Sequence, residues 1–365
     1  MVIKPGSTLG IVGGGQLGRM TALAAAHLGF KVHIFTDEKD SPASHVASRT
    51  IVSRYTDKKA LERFANSVDI VSFEFENIPA TTVEFLTKHV TVRPNPQCLY
   101  IAQHRLREKE FLNSIGIGTA RYKKITSAKT LQEAFKSIGT RCLLKTVELG
   151  YDGKGQHIID ENTNIPKLWK QMKTKLAVLE QMVPFEKEIS VIIARGHDGA
   201  TASYIPSENL HTKGILDVTL APARMSDALI EESWRIAHLI AEKLELVGIL
   251  AVEFFVTQEG TLLVNELAPR PHNSGHWTLD GATTSQFEQF VRAICGLPLG
   301  SAHHHASTIM KNLIGDEVSL WEDFITDPDT KIYLYGKKEA RPGRKMGHVT
   351  HILTEDDLLI DPQDL

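Results

Sequence analysis

The chain has 365 residues, 42% hydrophobic and 23% charged, long enough to bury large cores and to divide into two or three domains. Its 41 Lys and Arg against 44 Asp and Glu leave a net charge of −3, which excludes a global field for nucleic acid or anionic membrane, so an anionic substrate must meet local positive charge. Cys98, Cys142 and Cys295 lie far apart without CxxC spacing, and with no signal-peptide layout or run of about 18 apolar residues the chain reads as cytoplasmic and disulfide-free.

The predicted elements begin with a βαβ unit: strand Thr8–Val12, a helix from Gln16 to Leu28, and strand Lys31–Phe35. Further strands at Ile51–Val52 and Asp69–Phe73, with helical Lys58–Asn66 between, complete a small parallel sheet that ends near Arg93-Pro-Asn-Pro96. A charged amphipathic helix spans Arg105–Ile115. Helix Ser127–Ile138, strand Arg141–Lys145, a glycine-rich loop and strands Gln156–Ile159 and Ala177–Gln181 form a second, α+β unit. Strands Glu188–Ala194, Thr201–Ile205 and Leu216–Leu220 precede a long helix carrying Ile230, Trp234, Ala237, Ala241 and Leu244 at helical spacing. After a hairpin at 248–268 and helix Thr284–Cys295, the tail carries strand Lys331–Tyr335 and a basic segment to Lys345.

Four stretches carry chemistry. Gly13-Gly-Gly-Gln-Leu-Gly18 fits GxGxxG between a strand and a helix, with Asp37 after the second strand; such a turn presents amides to a dinucleotide pyrophosphate or a sugar phosphate. Glu74 and Glu76 alternate at a strand end and are expected to share one side. Gly150-Tyr-Asp-Gly153-Lys-Gly155-Gln156 is a lid-like loop whose amides suit phosphates, with Lys145 on the preceding strand as a fixed charge; as a bare pattern it is equally a mobile hairpin tip. In Glu180-Gln181-Met182-Val183-Pro184 a strand runs into proline and exposes backbone groups to an adenine edge, with Glu188 within reach of a ribose.

The hairpin is the fourth. A two-residue loop at Glu259-Gly260 sets Gln258 opposite Thr261, Val256 opposite Leu263 and Glu253 opposite Glu266. Cross-strand Cβ atoms lie about 4.5–5.5 Å apart, so the two carboxylates need a proton or a hard cation between them, with Asn265 as a neutral neighbour. A three-residue loop instead shifts the register and turns one glutamate to solvent. The run His303-His304-His305 reads as solvated loop, since consecutive residues cannot converge on one ion.

In this order, lysine strand, glycine lid, hinge and paired acids resemble the ATP-grasp superfamily. Gly13–Arg19, Ser72–Pro79, Gly150–Gln156, the stretch Asn265-Glu-Leu-Ala-Pro-Arg-Pro-His-Asn-Ser-Gly-His276 and Arg341-Pro-Gly-Arg-Lys-Met-Gly-His348 together look like the N5-carboxyaminoimidazole ribonucleotide synthase family of purine biosynthesis. The resemblance implies an ATP-grasp fold of mixed α/β and α+β class: a Rossmann-like domain at 1–103, a lid domain at 104–185 and a large domain at 186–365 with a small β-rich C-terminal subdomain. It implies ATP, two Mg²⁺ ions and bicarbonate acting with aminoimidazole ribonucleotide, in a homodimer without nucleic-acid or membrane partners.

Residue by residue, the resemblance places ATP at Arg105, Lys145, the lid residues Gly150, Tyr151, Asp152, Gly153, Lys154, Gly155 and Gln156, the hinge Glu180, Gln181, Met182 and Val183, and Glu188, His211, Asn265 and Glu266. Glu253 and Glu266 become the metal ligands. The ribonucleotide is implied at Gln16, Leu17, Glu74, Glu76, Asn77, Tyr151, Asn273 and Arg341, with Lys337 and Arg344 on its phosphate. Arg270 is implied to hold bicarbonate and carboxyphosphate, and Asp152 and His272 to orient or deprotonate the amine, His272 titrating near neutrality. A formate-using glycinamide ribonucleotide transformylase shares the Pro-Arg-Pro-His stretch but not Asn-Ser-Gly-His or the basic tail; an NAD(P) oxidoreductase or a silent nucleotide-binding protein are the alternatives from other classes.

Overall fold

The computed structural model describes residues 2–139, 141–148 and 155–353. Three sheets organise it. In the first, β1 (Thr8–Val12), β2 (Lys31–Thr36), β3 (Arg49–Val52) and β4 (Ile70–Phe73) run parallel in the order β3-β2-β1-β4. Helices α1 (Gln16–His27), α2 (Lys58–Ala65) and α3 (Ala80–Leu86) are its crossovers and flank. The apolar runs of β1 and β4 are buried because both sheet faces are covered, and Phe35, Phe64 and Phe73 fill one of those cores. Asp57 stops the chain before α2 by accepting the Ala60 N–H at 3.1 Å.

The Arg93–Pro96 segment is pinned rather than free. Arg93 Nη1 donates to Ile294 O at 2.7 Å and Asn95 Nδ2 to Leu244 O at 2.9 Å, while Asn95 caps α4 (Pro96–Ala102). α5 (Arg105–Ser114) follows and leads to the second sheet. There β5 (Tyr122–Ile125), β6 (Cys142–Thr146), β7 (Gln156–Ile159) and β8 (Ala177–Gln181) are antiparallel in the order β5-β8-β6-β7. Their inner faces pack on α6 (Ala128–Ile138) and α7 (Ile165–Met172), with Leu131, Leu144, Ile159 and Leu179 at the centre. Ser127 and Thr130 cap α6 reciprocally.

The third sheet holds β9 (Phe185–Arg195), β10 (Thr201–Ser203), β11 (Ser207–Thr212), β12 (Ile215–Ala221), β13 (Gly248–Thr257), β14 (Leu262–Ala268), β15 (Thr308–Ile314), β16 (Thr330–Leu334) and β17 (Lys345–Ile352). Its order is β14-β13-β9-β11-β12-β15-β17-β16, with β10 paired to β9, so the C-terminal strands continue the large sheet. α8 (Asp227–Lys243) covers one face, where Val191, Ile193, Val252 and Phe254 meet Ile236 and Ile240. The short α9 (Thr278–Gly281), α10 (Gln286–Cys295) and α1 lie over the other, where Ile192, Ala194 and Ala251 meet Phe290, Ile294 and Ala25. α11 (Trp321–Thr326) is peripheral and buries no residue. Double coverage explains why β13 and the Ile189–Ala194 part of β9 read as nearly unbroken apolar runs; β11, with the polar sequence Ser-Glu-Asn-Leu-His-Thr, has no such signature and is absent from the predicted elements.

The hairpin of β13 and β14 departs from the expected turn and still opposes the same two glutamates. Thr257 and Thr261 face each other, the Gly260 N–H donates to Thr257 O at 2.9 Å, and Gly260 sits at φ +71°, so the loop is the three residues Gln258, Glu259 and Gly260. Val256 accordingly pairs with Leu262, not Leu263. A bulge then places Asn265 as an extra residue between Val264, opposite Phe254, and Glu266, opposite Glu253. The loop shifts the register by one residue and the bulge restores it.

Candidate functional site

Glu253, Glu266 and Glu188 lie on one face of the large sheet, because Glu253 pairs with both Glu266 and Ser190 and Glu188 is two residues from Ser190. Burial first, then the charges of Glu266 and Glu188, push the Glu253 carboxyl up to about 8. A cation between the facing carboxylates relieves that repulsion, so the donor set fits a hard divalent ion. Burial, opposed by Lys145, raises Glu188 to about 7, and His211 Nδ1 stands 3.2 Å from its Oε2.

Beyond β14 the chain folds back over this face. Ser190 Oγ donates to Ser274 Oγ at 2.7 Å, Ser274 Oγ lies 2.9 Å from His272 Nδ1, and His272 Nε2 reaches Glu253 Oε1 at 3.3 Å. The Ser274 N–H donates to Nδ1, which leaves Nε2 to present the ring proton to the glutamate. Burial, then the charges of Arg270 and Lys345, hold His272 well below its ordinary value. The expectation that His272 titrates near neutrality is therefore corrected: the ring stays neutral there, a weak base and a good hydrogen-bond donor.

Arg270 Nε donates to Glu76 Oε2 at 2.5 Å. Burial would raise Glu76, but the Arg270 charge and hydrogen bond outweigh it and keep the carboxyl below its usual range. Glu74 goes elsewhere. β4 ends at Phe73, so Glu74 and Glu76 stand in the following loop and do not share one strand face, which corrects the alternation read from sequence. The Gly15 N–H donates to Glu74 Oε1 and the Gly18 N–H to Oε2 at 2.7 Å, so the protein's own carboxylate fills the anion position at the start of α1. Gly13 shows how closely it sits, with φ +111° and no room for a Cβ, which would run into Glu74 Cγ. A dinucleotide pyrophosphate would need that position, and Asp37 lines a separate surface cavity with Ser53, Arg54 and Asp57. Gln16 opens α1 half-buried, Leu17 packs beside Met20, Phe287 and Tyr335, and Asn77 is half-buried beside Glu76, whose carbonyl accepts from Gln103 Nε2 at 2.5 Å.

On the other side of the carboxylate pair stands the charged end of the second sheet. Lys145 Nζ donates to Glu180 Oε2 at 2.8 Å, and Lys109 Nζ lies 3.3 Å from Oε1. Burial raises the Glu180 carboxyl, but the two lysines overcome it and hold it at about 2. Arg105 Nη1 stands 3.4 Å from Glu266 Oε2. At the hinge the N–H groups of Gln181 and Met182 already donate to Arg121 O and Arg141 O, at 2.8 and 3.3 Å, and Val183 lies between β8 and β9. Of the lid, Gln156 begins β7 and Gly155 precedes it, its carbonyl accepting the Thr146 N–H at 3.0 Å; Gly150, Tyr151, Asp152, Gly153 and Lys154 lie outside the described residues.

The basic tail separates its two adjacent lysines. Lys337 turns inward, donating to Lys345 O at 2.6 Å and lying 5.4 Å from the centre of the Tyr335 ring; burial, then the Arg344 charge, bring it down to about 8. Lys338 points outward to Asp40 at 2.6 Å. Arg344 Nη1 donates to Glu339 O at 3.1 Å, and exposed Arg341 pairs with the Glu339 carboxylate. Asn273 is buried, its amide exchanging hydrogen bonds of 2.9 and 2.7 Å with Asn312, so only part of its bonding capacity remains for a ligand.

Three charged residues at the site escape the sequence reading. Glu108 accepts the Leu267 N–H at 2.7 Å, Lys109 meets Glu180, and Lys345 bears on Glu253, His272 and Lys337. The available signal was the spacing of Arg105, Glu108 and Lys109, which at i, i+3 and i+4 share one helix face. Among the described residues no helix is long and apolar enough to cross a membrane, and no cluster of three His, Cys, Asp or Glu forms a ready metal site.

Family models match along the chain: a ribonucleotide synthetase preATP-grasp domain over residues 6–103, an ATP-grasp domain over 110–287 and a phosphoribosylaminoimidazole carboxylase C-terminal domain over 308–361. The N5-carboxyaminoimidazole ribonucleotide synthase of Brucella melitensis is 45% identical over 96% of this chain and 97% of its own. The chain spans 37% of a bifunctional purine synthesis protein of Dictyostelium discoideum, also 45% identical. Among solved structures, an ADP complex of N5-carboxyaminoimidazole ribonucleotide synthetase superimposes with a TM-score of 0.95 at 40% identity, covering 100% of this chain and 97% of that one. The enzyme of Aspergillus clavatus in complex with ADP and 5-aminoimidazole ribonucleotide gives 0.89 at 28% identity, covering 95% and 94%.

Proposed function

The chain belongs to the N5-carboxyaminoimidazole ribonucleotide synthase family of ATP-grasp ligases, and from that premise we propose how its residues divide the work. The reaction joins bicarbonate to the amine of 5-aminoimidazole ribonucleotide at the expense of ATP, giving N5-carboxyaminoimidazole ribonucleotide, ADP and phosphate in purine biosynthesis. The observation that carries the residue assignment is continuity. Glu253 and Glu266, on β13 and β14, face each other with Arg105 against Glu266, the Lys145 charge reaches Glu188 on the same sheet face, and Arg270 and His272 fold back over the same carboxylates within a few residues. Phosphoryl transfer and acceptor chemistry are thereby adjacent.

Lys145, Arg105, Glu188, His211 and the hinge through Val183 bind ATP. Glu253 and Glu266, with Asn265 beside them, would hold Mg²⁺, which would supply charge neutralisation for the transferred phosphoryl group. Bicarbonate oxygen attacks the γ-phosphorus, breaking its bond to the β,γ-bridging oxygen and expelling ADP, to form carboxyphosphate; the substrate amine then bonds to the carboxyl carbon as the C–O bond to phosphate breaks and phosphate leaves. Arg270, oriented by Glu76, holds the anion. Neutral His272 donates from Nε2 and orients groups at the reacting centre, which leaves the removal of the amine proton to Asp152 or to the departing phosphate. Lys337 and Arg344 hold the ribose phosphate, Glu74 stands between the α1 amides and Lys337, and Gln16, Leu17, Glu76, Asn77, Tyr151, Asn273 and Arg341 border the ribonucleotide. Covering the phosphates and keeping water from carboxyphosphate is the part the family resemblance gives to residues 150–156.

The division 1–103, 104–185 and 186–365 is supported by the separate sheets β1–β4, β5–β8 and β9–β17. The reading also includes a homodimer, which sedimentation would check, and a cytoplasmic location. The deciding experiment measures ADP release with bicarbonate and aminoimidazole ribonucleotide supplied singly and together. Release that requires both supports the assignment; turnover with formate in place of bicarbonate, or a change in nicotinamide absorbance, overturns it.

A further inference from the structure

We propose that Lys109 is a positioning residue for ATP: by holding Glu180, it frees Lys145 to exchange that carboxylate for the incoming phosphates. The inference rests on the reading of Lys145 as a phosphate-binding residue. Glu180, Lys145 and Lys109 are 3%, 6% and 2% exposed, so none of the three is neutralised by bulk water. They come from three elements, β8, β6 and α5, and only the fold brings them together. Lys145 hydrogen-bonds Oε2 at 2.8 Å, while Lys109 enters past the Tyr122 ring, 5.9 Å from its centre, and forms an ion pair with Oε1 at 3.3 Å, an oxygen that accepts no hydrogen bond among the described residues.

One carboxylate needs one cation, and here two are buried against it. The second becomes necessary when the first leaves. A Lys145 that turned toward a triphosphate without Lys109 behind it would abandon Glu180 as an uncompensated charge in the interior, a state proteins avoid at large cost. With Lys109 in place the carboxylate keeps a partner throughout, and nucleotide binding becomes an exchange of partners. Arg105, the third cation nearby, already faces Glu266.

The test is steady-state kinetics of the full-length enzyme with ATP and aminoimidazole ribonucleotide varied separately. Lys109→Met should raise the KM for ATP by about tenfold or more, with the KM for the ribonucleotide unchanged. Lys109→Arg should restore the ATP KM, since a guanidinium can hold the same carboxylate. Adding Glu180→Gln to Lys109→Met should bring the ATP KM to that of Glu180→Gln alone, because no buried carboxylate then competes for Lys145. A merely structural lysine predicts otherwise: both KM values rise together, or the two substitutions add, and either result overturns the proposal. If Lys109→Met does not fold, Lys109→Gln is read by the same criteria. Lys145→Met separates the two levels of inference. An unchanged ATP KM in that variant removes the phosphate-binding reading itself; a raised one, with Lys109→Met indistinguishable from wild type, overturns the role of Lys109 alone.

Discussion

Lys337 should make recognition of the ribonucleotide fail on the alkaline side of neutrality. Its ammonium is brought down from 10.5 to about 8 by burial first, then by the charge of Arg344 and, more weakly, Lys345, against the pull of Glu74 and Glu38. A fall of that size corresponds to roughly 3 kcal/mol of penalty for carrying the charge in the free site. A ribose phosphate beside the ammonium offsets the penalty, so the charge is retained in the complex but lost from the free enzyme as pH rises through about 8. The sign follows: below that pH the site holds its cation, and one unit above it roughly a tenth of the free enzyme does. kcat/KM for aminoimidazole ribonucleotide should therefore drop about tenfold from pH 7 to pH 9 at saturating ATP and bicarbonate, with kcat falling less. The assay is ADP release across that range, repeated with Lys337→Arg, whose guanidinium stays protonated and should abolish the alkaline limb whatever its absolute rate. A flat wild-type profile, or the same drop in the arginine variant, refutes the reasoning.

Glu266→Gln should abolish Mg²⁺-dependent ADP formation while leaving the circular dichroism spectrum unchanged; activity at ordinary Mg²⁺ would remove it from the metal site. Glu253→Gln should also lose activity yet stabilise the nucleotide-free enzyme at alkaline pH. The raised folded pKa means that the wild-type glutamate contributes most below its ordinary value of 4.5 and loses that contribution as pH rises to about 8. Melting temperatures of variant and wild type should thus diverge at pH 8.5 and converge near pH 4; a variant less stable at pH 8.5 counts against the buried-charge account. Gly13→Ala should cost more than about 1 kcal/mol, since it meets both a positive φ and the Glu74 side chain; urea unfolding checks this, and a neutral result would mean that the loop relaxes freely. Lys337→Ala should raise the KM for the ribonucleotide about tenfold or more and leave that for ATP unchanged; a rise confined to the ATP KM would reassign the residue.

Local periodicity explains why much of the fold was legible beforehand. A run such as Gly248–Val252 followed by a Gly-containing turn specifies strand, turn and partner within some 20 residues, because alternation and loop closure act over short distances. The opposition of Glu253 to Glu266 was legible in the same way, although the route was wrong. A two-residue loop without a bulge and a three-residue loop with Asn265 bulged end at the same pairing, and choosing between them needed the third strand, β9, packed against β13. β11 was missed because it is held by pairing with β9 and β12 and not by apolar character: of its polar residues only Ser207 and Asn209 are buried, and His211 and Thr212 are exposed.

Charge placement was the less legible part. By itself the sequence determined the order of parts: a parallel βαβ start, a lysine strand and glycine loop, paired glutamates, Arg270 and His272 just beyond them, and a basic tail. Each is written in neighbouring residues. Only the tertiary structure decided that Glu74 closes the glycine turn at α1, that Lys337 turns in while Lys338 turns out to Asp40, and that Lys109 meets Glu180 across 71 positions of sequence. The physical reason is that a charged side chain on a strand or helix carries no mark of whether water or a distant opposite charge will solvate it. That is settled when separate elements pack and one carboxylate is left with two lysines and no solvent.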